Sequence, residues 1–115
     1  MPKDDRVLLN DMLDCSREIQ LLCAGKGRTD LDKDRMLALS LERLLEIIGE
    51  AASHISVEFR EHHPEGPWRD IVAMRNRLIH AYRSVDPDIV WTTVQGAIPD
   101  LIDGIEDLLN ERGTR

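Results

Sequence analysis

Met74-Arg75-Asn76-Arg77-Leu78-Ile79-His80-Ala81-Tyr82 sets one arginine among apolar residues, with an amide beside it and a histidine and a tyrosine after it. On a helix, at about 100° per residue, Ile71, Met74, Leu78 and Ala81 form one apolar face with Tyr82 at its edge. Arg75 falls between Tyr82 and Ile79, on the border of that face. Asn76 and His80 lie one turn apart on a common face, with Arg83 nearby. Arg75 and His80 are roughly 140° apart around the helix, so one regular helix does not aim both at a single point. The reach of arginine, an irregular turn near His80 or a second copy of the chain would be needed to bring them together. The residues alone leave two readings open. In one, Arg75 is ion-paired with its stem on the core and His80 is a capping or core histidine. In the other, the two carry chemistry.

The chain around this stretch has 115 residues, enough for one domain. A domain of this size buries roughly two-thirds of the surface its unfolded chain exposes, so it can form a core without metals or disulfides. Aromatics make up only 3% of it; Leu, Ile, Ala, Glu, Asp and Arg abound, and alternating β-branched runs are absent. That composition favours an all-α chain. Cys15 and Cys23 are about 12 Å apart along one helix axis, too far for a disulfide. They read as small apolar residues of a cytoplasmic protein. No signal peptide is evident, nor an apolar run long enough to cross a bilayer.

The net charge of −7 argues against nucleic-acid binding by the whole surface. From Arg60 to Arg83, however, five arginines stand against Glu61, Glu65 and Asp70, a local balance of +2 that leaves −9 for the rest. A small basic patch on an acidic body suits a local phosphate site; ordinary surface variation gives the same numbers.

Outward from the motif, the pattern predicts a first helix from about Asp4 to Ala24 with a stripe of Leu8, Met12, Cys15, Ile19 and Leu22, ended by Gly25 and Gly27. A second helix is expected from Asp30 or Leu31 to Ile55, capped by Thr29 or Asp30. Leu37, Leu41, Leu44, Ile48, Ala51 and Ile55 form its stripe, widened by Ala38, Leu45 and Ala52. Gly49 and the pair Ala51-Ala52 allow another helix to approach closely. Glu46 and Glu50 flank this face, either as a solvated edge or as a carboxylate partner for Arg75. Val57 to His63 reads as a short helical turn before Pro64. Gly66-Pro67-Trp68 opens the helix that carries the motif, with Trp68 anchoring that end. Asp86 and Pro87 open the last helix, striped by Val90, Val94, Ile98, Leu101, Ile105 and Leu108, with a kink or split expected at Gly96 and Pro99. No Cys/His/Asp/Glu spacing resembles a zinc site, and neither a metal nor a cofactor is expected.

Taken together, Pro67-Trp68-Arg69-Asp70-Ile71, the motif itself, Val85-Asp86 and Ile89-Val90-Trp91 resemble the HepT-like proteins of the HEPN superfamily. Leu45-Glu46-Ile47-Ile48-Gly49-Glu50-Ala51-Ala52 is similar to that family's second-helix signature. The resemblance runs over almost the whole chain, as a single domain spanning 1–115. One departure is Gly66, where many relatives have a larger apolar residue. The resemblance implies an antiparallel up-and-down bundle of four to five helices that forms a homodimer. It implies a metal-independent endoribonuclease acting as the toxin of a toxin–antitoxin pair. The partner would be an MntA-type nucleotidyltransferase antitoxin, which silences the toxin by attaching AMP to the tyrosine of R-x-x-x-x-H-x-Y, here Tyr82. A catalytically silent dimeric module that binds nucleotide or the nucleotidyltransferase is the alternative.

The chemistry is coherent with those residue types. RNA can be cut without a metal when its own 2′-hydroxyl attacks the adjacent phosphorus. That needs a proton carrier near neutrality, which histidine provides, and positive charge on the phosphoryl oxygens, which arginine's planar fork provides. His80 is therefore expected as general base or acid, Arg75 as phosphate and transition-state stabiliser, and Asn76 as an orienting or phosphate-binding amide. Arg77 and Arg83 are expected to contact the substrate. Without the resemblance, Tyr82 would read as a helix-end tyrosine packed on Trp68 or the last helix.

Overall fold

The computed structural model describes residues 3–66, 68–79 and 85–113. Among them every regular element is helical. They are α1 (Lys3–Cys23), α2 (Asp30–Lys33), α3 (Arg35–Ser53), α4 (Val57–His62), α5 (Trp68–Ile79), α6 (Pro87–Thr92) and α7 (Ile98–Gly113), with a π-helical turn over Thr93–Ala97 joining the last two.

α3 is the centre of the bundle. It packs on α1 and α5, with α2 and α6 also against it, while α7 closes on the other side of α1. Its Leu41, Leu45, Ile48 and Ala52 are almost wholly buried, as are Leu9, Met12 and Ile19 of α1 and Ile98 and Ile105 of α7. The expected stripe of α3 is present and widened as read, although Leu44 is only partly buried.

Three local details differ from the sequence expectation. The second helix is not continuous: Asp34 turns extended (φ −116°, ψ 94°) and its side chain accepts from the Leu37 amide, so it caps α3 and divides α2 from it. Thr29 makes no side-chain cap, and Asp30 Oδ2 instead accepts from the Gly27 amide at 2.7 Å. The stripe of α1 is turned by about one position. Leu9, Leu13, Ser16 and Cys23 are buried with Met12 and Ile19, while Leu8 and Cys15 are only partly covered and Leu22 is exposed. Buried Ser16 satisfies its hydroxyl by donating to the Met12 carbonyl at 2.7 Å. Burial raises the thiol pKa of Cys23 and, with Glu18, Asp11 and Asp14 adding to it, that of Cys15. Both cysteines are free, and both are held toward the unreactive thiol form.

Helix ends follow the turn chemistry. Gly25 has φ +75°, a left-handed conformation that ends α1 and favours glycine over any side chain. Asp86 caps α6, with Pro87 in its first turn. Pro99 cannot donate to the carbonyl four residues back, and the helix answers with a wider turn in which the Ile98 amide reaches Thr93. Thr93 Oγ1 also donates to the Ile89 carbonyl at 2.7 Å, a bond that bends helices outward.

The short α4 is tied down from a distance. Asp5, 2% exposed, accepts from the Ser56 amide at 2.8 Å and from the Ser56 hydroxyl at 2.6 Å. Ser56 in turn caps α4 by accepting from the Phe59 amide at 3.1 Å. Beyond it the Trp68 indole donates to the His63 carbonyl at 2.9 Å and meets Phe59 edge-on, 6.0 Å between centroids. The indole lies where a Cβ on Gly66 would be, 2.3 Å from Cε2. The bare residue at 66 is thus matched to this tryptophan's pose. Trp68 anchors the start of α5, as expected from sequence.

Removing the Asp5 carboxylate leaves the Ser56 amide and hydroxyl without their buried acceptor. Asp5→Ala is expected to cost about 2 kcal/mol of stability, read as a lower urea midpoint at unchanged slope. An unchanged midpoint would show that the tie contributes nothing.

Candidate functional site

α5 crosses α3 where α3 has no side chain. A Cβ built on Gly49 would lie 2.3 Å from the Arg75 Cβ and 3.2 Å from its Cα. The stem of Arg75 therefore rests directly on the backbone of α3, and the glycine is the condition for that approach. Ile71, Met74 and Leu78 bury the other side of α5. The border position inferred for Arg75 from sequence is thus observed, with the side chain 25% exposed.

The next residue of α3 completes the seat. Glu50 Oε2 stands 2.6 Å from Arg75 Nη2. Of the two glutamates weighed from sequence as a partner for Arg75, Glu50 is the one that pairs with it, while Glu46 pairs with Arg43 at 3.4 Å. Arg75 Nε is buried and has no hydrogen-bond partner among the described residues. Glu50 remains 52% exposed, so the pair is open to solvent on the carboxylate side.

A histidine that the sequence reading did not single out joins the pair. His54 Nδ1 lies 3.7 Å from Glu50 Oε1 and 2.9 Å from the Glu50 backbone carbonyl. Since a carbonyl only accepts, Nδ1 is the donor in that contact. The signal was in the sequence: Glu50 and His54 are one helical turn apart. It carries little weight alone, because His62 makes the same bond to the Glu58 carbonyl at 2.7 Å and caps its helix in the same way.

Asn76 and Arg77 are both exposed on α5 beside Arg75. His80, Tyr82 and Arg83 lie outside the described residues. The structure thus places Arg75, Asn76 and Arg77 on α5, sets Glu50 of α3 against Arg75, and puts His54 beside Glu50. Among the described residues no group of three or more His, Cys, Asp or Glu side chains is arranged to hold a metal, and no helix is long and apolar enough to cross a membrane.

A separate groove of about 390 Å³ runs along the first half of α3, floored by Leu31, Ala38, Leu39 and Val90. Glu42 on its wall has its carboxyl pKa raised, by burial first and by Glu46 second, against a smaller opposing effect of Arg35. The groove does not include Arg75 or Glu50.

The profile of the family described as ribonuclease HepT-like matches residues 12–108. A protein of Caldanaerobacter subterraneus subsp. tengcongensis named "Putative RNase" is 42% identical over 76% of this chain and 78% of its own length. A "Probable ribonuclease HepT" of Thermococcus cleftensis is 45% identical over 65% of this chain and 68% of its own. A Methanocaldococcus jannaschii protein with the same "Putative RNase" name is 31% identical over 90% of this chain and 95% of its own. No solved structure matches. The matched span takes in α3, α5 and the Gly49–Arg75 contact between them, and the chain belongs to the ribonuclease HepT-like family.

Proposed function

We propose that the chain is a metal-independent endoribonuclease, built around Arg75 and His80 and working as the toxin of a toxin–antitoxin pair. The observation that carries the reading is the match of residues 12–108, which take in the Arg75 motif, to the ribonuclease HepT-like family. The pose of Arg75, part-buried and paired with an exposed carboxylate, is compatible with it and is also what a purely structural arginine would show. Family membership and the names of the relatives support the activity.

The reaction needs no water in its first step. The 2′-hydroxyl of one ribose attacks the neighbouring phosphorus, its proton passes to a base, the bond from phosphorus to the 5′-oxygen breaks, and that oxygen takes a proton from an acid. His80 is the proton carrier. Arg75 binds the phosphoryl oxygens, whose charge grows as the fifth bond forms. Asn76 orients His80 or donates to phosphate, and Arg77 and Arg83 hold flanking phosphates. One histidine is not base and acid at the same instant. A homodimer presenting two motifs to one cleft supplies the second, and also removes the angular mismatch between Arg75 and His80. Met36 and Leu39, exposed apolar side chains at the start of α3, give a partner surface to cover.

Silencing follows from the same electrostatics. An AMP attached to Tyr82 by a cognate nucleotidyltransferase adds bulk and a negative phosphate two residues from His80, which blocks RNA and offers Arg75 a competing anion.

His80→Ala is expected to lower RNA cleavage at least about a hundredfold while leaving helicity and oligomeric mass unchanged. Cleavage equal to the parent's would remove His80 from the site. A parent chain that binds nucleotide or the nucleotidyltransferase but cuts no RNA would instead favour the silent module. Co-expression with a cognate MntA-type nucleotidyltransferase should raise the intact mass by whole AMP units, and Tyr82→Phe should abolish the increase and remain toxic. Full neutralisation of Tyr82→Phe would show that complex formation alone silences the chain.

A further inference from the structure

α3 gives Arg75 more than a surface to lie on. Gly49 admits the stem of the arginine against the backbone, and Glu50, the very next residue, takes one edge of the guanidinium at 2.6 Å. The fork of arginine has five N–H donors. Nη2 is ion-paired with Glu50, and the buried Nε has no partner among the described residues. Nη1 is left for an incoming phosphate once Nη2 is paired with Glu50, whereas the buried Nε is closed to one. His54 lies beside this carboxylate: its Nδ1 bonds to the Glu50 backbone carbonyl at 2.9 Å and stands 3.7 Å from Oε1. Glu46, one turn earlier on the same helix, points its charge to Arg43 instead.

An unrestrained arginine samples many rotamers and must be ordered whenever it binds a ligand. Here the stem rests on the glycine contact and the tip is paired with the carboxylate, so less ordering is left to the moment RNA binds. We propose that Glu50 is a positioning residue for the reaction, holding the Arg75 guanidinium in place through its carboxylate while Gly49 admits the stem. The role rests on the ribonuclease reading of Arg75 given above. It differs in sign from the other effect an acidic neighbour can have. A carboxylate that merely competed with phosphate for Arg75 would inhibit, and its removal would raise activity.

Glu50→Gln keeps the size of the side chain and one acceptor oxygen but removes the charge. The test measures two things on the full chain in its native oligomer. The first is steady-state cleavage of an RNA oligonucleotide: Glu50→Gln should lower kcat by about tenfold to a hundredfold, with KM changed much less, while Glu46→Gln stays within about twofold of the parent. The second is the Nε–Hε resonance of Arg75 in the ¹H–¹⁵N spectrum of the resting protein, assigned by its loss in Arg75→Lys. It should stand apart from the exposed arginines in the parent and in Glu46→Gln, and collapse toward them in Glu50→Gln. An Arg75 resonance unmoved in Glu50→Gln overturns the positioning role, and so does a kcat equal to or above the parent's. Failure of the parent to cut RNA would overturn the ribonuclease reading, whereas the resonance reports on Glu50 with no RNA present. Gly49→Ala provides a second, independent perturbation of the same seat, and its Arg75 resonance should also move.

Discussion

Any side chain at position 49 would collide with the stem of Arg75, and much of this molecule follows from the absence of one. The contact brings α5 onto the backbone of α3 and fixes where the motif-bearing helix runs. Around it the apolar faces of both helices close: Ile48 and Ala52 on one, Ile71, Met74 and Leu78 on the other. An arginine at such a contact would ordinarily be costly to cover. It is tolerated because its tip reaches a carboxylate that is still half in water, so neither charge is stranded. Packing and electrostatics thus meet at two consecutive residues of α3, Gly49 and Glu50.

The other end of α5 is held by a chain of contacts beginning far away in sequence. Asp5 of α1 fixes Ser56, Ser56 caps α4, and Phe59 of α4 meets the Trp68 ring that opens α5. The start of α5 is therefore set from α1 through α4, while its middle is set by α3. A helix constrained at both points is a firm platform for side chains that must meet a substrate in one geometry.

Much of this was legible in the sequence because helical periodicity is a strong signal in a chain with few aromatics and no strand pattern. The four long segments, the short turn at Val57, the Asp86–Pro87 start and the disturbance near Pro99 all follow from spacing and local chemistry. What periodicity missed has definite causes. The leucine doublet Leu8-Leu9 lets the stripe of α1 be drawn in two registers, and the buried Ser16 that decides between them is polar, with its hydroxyl satisfied inside its own helix. The break at Asp34 is invisible to an apolar stripe that continues across it, since Leu31 and Leu37 are both buried. The Asp5–Ser56 tie joins residues 51 apart, and nothing local to either marks it. At the site, the border position of Arg75 was evident from its angle on the helix. That Glu50 rather than Glu46 is its partner depends on how α3 and α5 cross. His54 carries no distinguishing signal, because a histidine at a helix end has an ordinary use there, as His62 illustrates.

The central claim is that this seated arginine serves phosphoryl transfer to RNA's own 2′-hydroxyl, and the ends of the products report on that step directly. Mass spectrometry of a defined RNA oligonucleotide incubated with the purified chain in excess chelator should find fragments ending in 2′,3′-cyclic phosphate. Fragments with 3′-hydroxyl and 5′-phosphate ends, or cleavage that the chelator abolishes, would contradict the account.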